Sequence, residues 1–376
     1  MRGARYDVAI VGAGIVGLAH ALAAARRGLR VIVFDRDSRA NGASVRNFGF
    51  ITVTGQLAGL TWKRARRSRD IWEELAPLAD IEIVHRNECL IVHSREAVKV
   101  LTEFAATDMG ADCQLLSPEQ LRERVPMANF DDVCGALWSP LELRIEPRAA
   151  LSGLAAHLGK RYGVRIEWDT QVWQIATHRL DTTAGTFEAD RIIVASGPDL
   201  LTLFPEVHAK RKVSLCKLQM LRLAPQPSDW KLPAAIMSDF GLVRYGGFSA
   251  QPAAAGLRTL LEVEQAQLLS YGIHLIVVQS SDGSLIIGDS HEYGMTLDPF
   301  YSSEIEAAIL SLAHSVLHMP HGDVVERWIG VYPYSKTCDA FVDSPDPHTR
   351  VVEVTSGTGM STAFGLAEEV IAELFA

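Results

Sequence analysis

The sequence predicts an α/β chain, α+β overall, in which a Rossmann-like dinucleotide-binding domain is interleaved with a mostly antiparallel β domain. Three observations carry this. A short apolar strand, a glycine-rich turn and an alanine-rich helix open the chain at residues 6–27. A strand followed by a glycine turn recurs at 191–197 and again at 351–359. Between them, residues 213–290 read as strands separated by Pro- and Gly-rich loops.

In chain order, Tyr6–Val11 reads as a buried parallel strand: short, apolar and β-branched. Gly12–Gly17 forms the turn, and Leu18–Arg27 reads as a helix stopped by Gly28. Leu29–Phe34 is a second buried strand, completing one βαβ unit within about thirty residues. Trp62–Ala79 looks helical, with the arginines of 64–69 on a solvated outer face. Glu88–Val92 reads as a strand, and Glu96–Met109 as a polar helix. Ser117 and Pro118 are placed to cap and open a helix over Ser117–Val125. Arg148–Tyr162 is helix-like; Val164–Trp168, Val172–Thr177 and Thr186–Ala189 are short strands. Arg191–Ala195 is a buried strand, and the chain closes with strand Val351–Thr355 and helix Ser361–Phe375. These elements place the nucleotide domain at 1–85, 144–213 and 327–376, and the substrate domain at 86–143 and 214–326.

At 376 residues the chain is long for one core and suits two domains. Hydrophobic content of 48% and charged content of 22% are those of a globular protein. The net charge of −9 argues against a nucleic-acid partner. An anionic small molecule then needs a local basic cluster. The five cysteines (89, 113, 134, 216 and 338) are scattered and odd in number, as in a reduced cytoplasmic chain. The apolar run Val8–Ala25 carries three glycines and lacks the basic start of a signal peptide, so neither a leader nor an integral membrane segment is expected. No motif specifies an oligomeric state.

The turn reads Gly12-x-Gly14-x-x-Gly17, set between strand and helix as pyrophosphate binding requires. Gly12 permits the tight turn, Gly14 lets the backbone approach the anion, and Gly17 lets helix and strand close together. Asp35 lies 23 residues after Gly12, where a carboxylate can accept hydrogen bonds from ribose hydroxyls; Arg36 follows.

Three later segments narrow the reading. Gly42-Ala43-Ser44, Arg191-Ile-Ile-Val-Ala-Ser-Gly-Pro198 and Thr355-Ser-Gly-Thr-Gly-Met-Ser361 resemble the flavin-contacting segments of the D-amino-acid oxidase, glycine oxidase and sarcosine oxidase superfamily. The resemblance implies a glutathione-reductase-type fold and FAD as cofactor. It assigns to the cofactor Gly12, Gly14, Ile15, Val16, Gly17, Asp35, Arg36, Ala43, Ser44, Asn47, Val172, Ser196, Gly197, Gly330, Gly357, Gly359, Met360 and Ser361. It also implies hydride transfer from the carbon beside an amine to the flavin, with hydrolysis of the imine. Oxygen is the expected acceptor, and Lys217 a candidate for assisting it. An electron carrier is equally compatible with the sequence. Ser44-Val-Arg-Asn-Phe-Gly-Phe50, Cys216-Lys-Leu-Gln-Met-Leu-Arg222 and Gly283-Ser-Leu-Ile-Ile-Gly-Asp-Ser-His291 are similar to a subgroup associated with phosphonate catabolism, which implies an aminophosphonate substrate.

The sequence departs from those oxidases at Gly330-Val-Tyr-Pro-Tyr334. They usually carry Gly-Leu-Arg-Pro there, the arginine holding the substrate carboxylate; here Tyr332 stands in its place, which counts against an ordinary α-amino acid. The cysteine that links flavin in sarcosine oxidases is replaced near Gly330, so FAD is expected to be non-covalent. Candidates for an anionic substrate are Arg46 first, then Lys217, Phe48, Arg244, His274, Tyr332 and Lys336, with Tyr334 as a further lining residue. His274 also reads as a core histidine in the run Ile273–Val277. No metal site is expected: His314, His318 and His321 have helical spacing, but Pro320 interrupts them. No general base is assigned, since a desolvating pocket can itself deprotonate the ammonium. Two alternatives stay open: a secondary-amine or unusual amino-acid oxidase or dehydrogenase, and a flavin-bearing subunit of a larger oxidoreductase.

Overall fold

A computed structural model describes residues 5–376; residues 1–4, the start of the expected first nucleotide-domain segment, lie outside the described residues. Its strands form two sheets. The first has eight strands, and its central path begins with β1 (Tyr6–Val11) and β2 (Val31–Phe34), paired in parallel. The other neighbour of β1 is Gly185–Val194, also parallel, which pairs in turn with Thr349–Val354. The strands expected at Thr186–Ala189 and Arg191–Ala195 are thus one continuous strand. Val8, Ala9 and Ile10 are fully buried, as expected of a parallel strand covered on both faces.

Between β1 and β2 runs α1 (Ile15–Arg26), three residues longer at its start than the sequence predicts. Gly14, in an extended conformation with φ −71° and ψ 178°, occupies the cap position. The turn therefore ends sooner than the glycine spacing suggests. The close approach assigned to Gly17 is real: a Cβ there would stand 1.8 Å from the Gly12 carbonyl oxygen. Ten residues of α1 are buried, most of them alanine, leucine or glycine, so the helix lies close to the sheet.

The second sheet has ten strands and is largely antiparallel. Its spine pairs Ser214–Leu223 with both Leu285–Gly288 and Val324–Tyr334, and Ile83–Val92 with Gly135–Ile145. One junction is parallel, between Ala235–Met237 and Ile83–Val92. By pairing, strand Val324–Tyr334 belongs to this sheet, and a boundary at residue 327 cuts through it.

The stretch 213–290 is not purely strands. Helices Ala254–Glu264 and Ala266–Ser270 and the short turns Asp239–Val243 and Gly246–Ser249 interrupt it. Leu257 and Leu261 of the first helix are buried on one face, a helical period that strand-like composition around it masked. The arginines of 64–69 are not simply solvated either. Arg64 pairs with Glu369 at 2.5 Å and Arg67 with Glu368 at 2.7 Å, tying helix Leu60–Leu75 to the C-terminal helix Gly359–Leu374. Ser117 caps its helix with a reciprocal Gln120 contact, as its position predicts. No helix among the described residues is long and apolar enough to cross a membrane.

Candidate functional site

A long channel and a cavity meet between the two sheets. The channel begins at Asp35 and Arg36, passes the glycine turn, Ala43, Ser44 and the Ser196-Gly197 turn, and reaches Gly357, Gly359 and Met360. Each end has a structural reason. Gly12, Gly14 and the first turn of α1 line it, while Gly12 N–H is held by the Phe34 carbonyl at 2.8 Å. Ile15 N–H donates to Ser44 Oγ at 2.9 Å, fixing the Ala43–Val45 turn over the helix start. At the far end lies the N-terminus of helix Gly359–Leu374, the positive end of its dipole. Gly12, at φ +100°, brings its α-carbon so near the returning strand that a Cβ would stand 2.3 Å from Ala195 O.

The Asp35 carboxylate closes the other end. Its oxygens accept from Ala13 N–H at 2.7 Å and Asp37 N–H at 3.0 Å, which orients it toward the channel. Burial nonetheless raises its pKa. Arg36 pairs with Asp199 at 2.8 Å. Of the residues expected to hold the cofactor, Gly17, Val172 and Ser361 are not on the channel wall. Gly17 packs behind the turn, Val172 lines a cleft beside Asp35, and Ser361 lines the neighbouring cavity, where its Oγ accepts from Thr52 N–H at 3.0 Å.

The cavity shares Asn47, Leu218, Tyr332, Gly357 and Met360 with the channel. Phe48, Arg244, His274, Tyr332, Tyr334 and Lys336, all named as candidates for an anionic substrate, line it. Tyr332 is buried, and its hydroxyl accepts from Arg244 Nη2 at 3.1 Å; Arg244 Nη1 reaches the Tyr293 hydroxyl at 3.2 Å. Burial opposes the Arg244 charge, but the Tyr332 and Tyr293 hydroxyls accept its hydrogen bonds and the nearby Asp289 favours it, so the guanidinium remains protonated. Burial also pushes the Tyr293 hydroxyl up to about 12, leaving it neutral. Arg244 has no carboxylate within ion-pair distance among the described residues.

Two sequence expectations fail. Arg46 does not line this cavity. It borders the channel and an outer groove with Arg39, Arg148 and Arg327, held there by Trp328 Nε1 donating to its carbonyl at 3.1 Å. Lys217 does not face the flavin side. Leu218 lines both channel and cavity, so the alternation of the strand turns Lys217 to the opposite face, where its Nζ pairs with Glu292 at 2.8 Å.

Sequence reasoning missed Tyr245, Asp289 and His291, all on the cavity wall. Asp289 and His291 sit in the very segment that carries the narrower resemblance. Their two-residue spacing was the available signal, because it puts both on one face while Ser290 turns to accept from Gln219 N–H at 3.2 Å. Thr52 and Gln56 were missed as well. They ride on a loop held by Glu142, whose Oε1 accepts from Thr54 N–H at 2.7 Å.

Comparison with known proteins agrees with this geometry. The family model for FAD dependent oxidoreductases matches residues 7–374. Glycine oxidase of Geobacillus kaustophilus is 27% identical over 207 residues, 51% of this chain; the match spans 55% of that relative's length. The fold is similar to the crystal structure of glycine oxidase from the same organism, with TM-score 0.78 and 21% identity over 98% of this chain and 94% of that one. It is also similar to L-proline dehydrogenase from P. horikoshii, with TM-score 0.77 and 18% identity over 98% and 94%. The channel suits FAD on its own terms. It offers a glycine turn that any Cβ would fill, a helix N-terminus at each of two points, and an acidic residue at the nucleotide end.

Proposed function

The chain belongs to the FAD dependent oxidoreductase family, and from that premise we propose that it oxidises the C–N bond of a small anionic amine, with an aminophosphonate as substrate. FAD is the cofactor, and when bound it accepts the hydride from the carbon beside the nitrogen. The chain's residues do the rest. Gly12, Gly14, Ile15, Val16, Ala43, Ser44 and Asn47 cradle the dinucleotide, and Asp35 receives the ribose hydroxyls. The N-terminus of helix Gly359–Leu374 favours negative charge on the reduced flavin. No cysteine or histidine lines the channel among the described residues, which supports a non-covalent cofactor.

The observation that carries the substrate reading is the placement of one guanidinium in the cavity. Tyr332 replaces the arginine that a carboxylate would need on strand Val324–Tyr334. A guanidinium instead enters from the other side on Arg244, supported by Tyr332 and Tyr293 and, among the described residues, without a carboxylate at ion-pair distance. Lys336 also lines the cavity, as do the carboxylates of Asp289 and Asp339. The guanidinium is thus a local positive group displaced from the place where a carboxylate would be gripped, and a larger tetrahedral anion suits that displacement. Phe48, Phe50 and Tyr334 form the apolar part of the lining, and desolvation against them favours the neutral amine that must form first. Oxygen is the acceptor in this reading.

The test is anaerobic bleaching of the yellow holoenzyme by 2-aminoethylphosphonate, its N-methyl and 1-hydroxy derivatives, glycine, sarcosine and D-alanine. Bleaching by the phosphonates and peroxide release in air are expected. Bleaching by the amino acids alone would overturn the phosphonate reading and favour the second one, an oxidase of a secondary amine or amino acid, which the likeness to glycine oxidase supports. Yellow colour remaining with protein after acid precipitation would overturn the non-covalent assignment.

A further inference from the structure

We propose that His274, Asp289 and His291 form a divalent-cation site in the wall of the cavity. His274 precedes strand Ile276–Gln279, and Asp289 and His291 follow the adjacent strand Leu285–Gly288, so two antiparallel neighbours bring the three together. All three are more than nine-tenths buried, at 6%, 6% and 8% exposure. One ligand atom from each lies within 4.8 Å of the others; among the described residues this is the one His/Cys/Asp/Glu cluster with that property.

The orientation of the atoms distinguishes this cluster from an ordinary ion pair. His274 Nδ1 stands 3.2 Å from Asp289 Oδ1, a distance at which a hydrogen bond would form if the geometry allowed it. Neither atom has a hydrogen-bond partner, although both are sealed from solvent. Two buried polar atoms facing each other and both unpartnered are costly, unless a third group lies between their lone pairs. His291 supplies the other half of the argument. Its Nδ1 lies 2.9 Å from the Gly272 carbonyl oxygen, which can only accept, so Nδ1 carries the proton and Nε2 presents a lone pair. Nε2 lies 3.8 Å from Asp289 Oδ2. A carbonyl holding the far nitrogen of an imidazole is the usual outer support of a metal-binding histidine. Ligands at about 2.0–2.1 Å from a tetrahedral ion are roughly 3.3 Å apart. Here His274 stands 3.2 Å and His291 3.8 Å from the two Asp289 oxygens, so an ion draws the three together by a few tenths of an ångström to about one ångström.

The surroundings fit as well. The Gly272 carbonyl fixes His291 in the tautomer whose Nε2 can ligate, and Asp289 Oδ1 is buried without a partner. Two imidazoles and one carboxylate suit zinc or a neighbouring first-row divalent ion, with the remaining position open to the cavity. The opposing charge is Arg244. With the ion in place the cavity lining carries two net positive charges (ion +2, Arg244 +1, Lys336 +1, Asp289 −1, Asp339 −1). A doubly charged head group would then complete both the coordination and the charge balance. This last step rests on the aminophosphonate reading; the ion site itself does not.

The test uses the holoenzyme, stripped with chelator, re-equilibrated with Zn²⁺ by dialysis, and analysed for metal and FAD per chain. About one equivalent of zinc is expected in the wild type, lost in His274→Ala and Asp289→Asn with FAD content retained. His291→Gln is the second route should either variant fail to keep its flavin. Wild-type zinc no higher than in flavin-loaded variants would overturn the site and leave the three side chains as a proton-sharing cluster. Since metal content requires no turnover, a failed substrate panel and a failed metal assay are separate outcomes.

Discussion

The channel and the cavity are neighbours that share five wall residues, yet they are built on different principles. The channel is made of backbone: a glycine turn, two helix N-termini and a carboxylate held by amide N–H groups. Most of its binding groups belong to every residue type, so what the sequence must supply is room. The cavity is made of side chains: Arg244, Tyr332, His274, Asp289 and His291, delivered by segments far apart in the chain. There the sequence must supply chemistry, and the fold must bring it together. Substitutions should therefore fail differently in the two places, sterically in the channel and electrostatically in the cavity.

The largest effect expected is at Gly12. Gly12→Val adds a side chain at φ +100° and 2.3 Å from Ala195 O, so the turn cannot keep its shape. Flavin content should fall to near zero, with a stability loss of about 3 kcal/mol or more. Gly14→Val is milder for the fold, since its Cβ meets only Ser44 Oγ at 3.1 Å, but it should also give colourless protein. Normal flavin content in either variant, measured by visible absorbance, would erase the contrast between channel and cavity.

Next comes Glu353, a side chain in the channel wall that tests whether electrostatics matters there too. Burial, opposed by His208, raises its pKa from the ordinary 4.5 to about 7. The folded chain thus holds a proton between those values that the unfolded chain releases. The stabilising contribution is full below pH 4.5 and is lost as pH rises through 7, on the order of 3 kcal/mol in all. Glu353→Gln, which stays neutral, should match the wild type in acid and exceed its Tm at pH 8. Parallel Tm curves for the two proteins from pH 5 to pH 8 would show that the group does not titrate in this window.

On the cavity side, Arg244→Met should leave flavin content unchanged and lower kcat/KM for an anionic amine about 10- to 150-fold. That is the value of one hydrogen bond to a charged group, about 1.5–3 kcal/mol. Unchanged kcat/KM would remove Arg244 from substrate recognition. The smallest effect is at Arg46. Since it borders the outer groove and not the cavity, Arg46→Ala should leave KM within about twofold of wild type, as for a surface substitution. A large rise in KM would restore the role that its position in sequence suggested.

Arg46 and Arg244 illustrate how much of the site was legible. Arg46 lies beside the flavin-contacting turn in sequence, and proximity along the chain made it the first candidate. The carbonyl contact to Trp328 and the course of the loop put it outside the cavity. Arg244 follows a short turn with no motif around it, and only the reach of its guanidinium across the cavity brings it to Tyr332. Lys217 shows the same lesson in one residue: the strand was expected, but the face it turns to the flavin is set by pairing with its neighbours.

By itself, then, the sequence determined the βαβ opening, the glycine turn, the returning strand at 191–195 and the C-terminal glycine loop with its helix. Each is local: a strand, turn and helix within about thirty residues have only one way to bind a dinucleotide. The tertiary structure decided what fills the cavity. It set the partnering of Arg244 with Tyr332 and Tyr293, and the meeting of His274 with Asp289 and His291 across two strands. Those contacts join residues separated by up to 88 positions. No local propensity encodes such a meeting, because it is fixed by sheet register and by which face each strand presents.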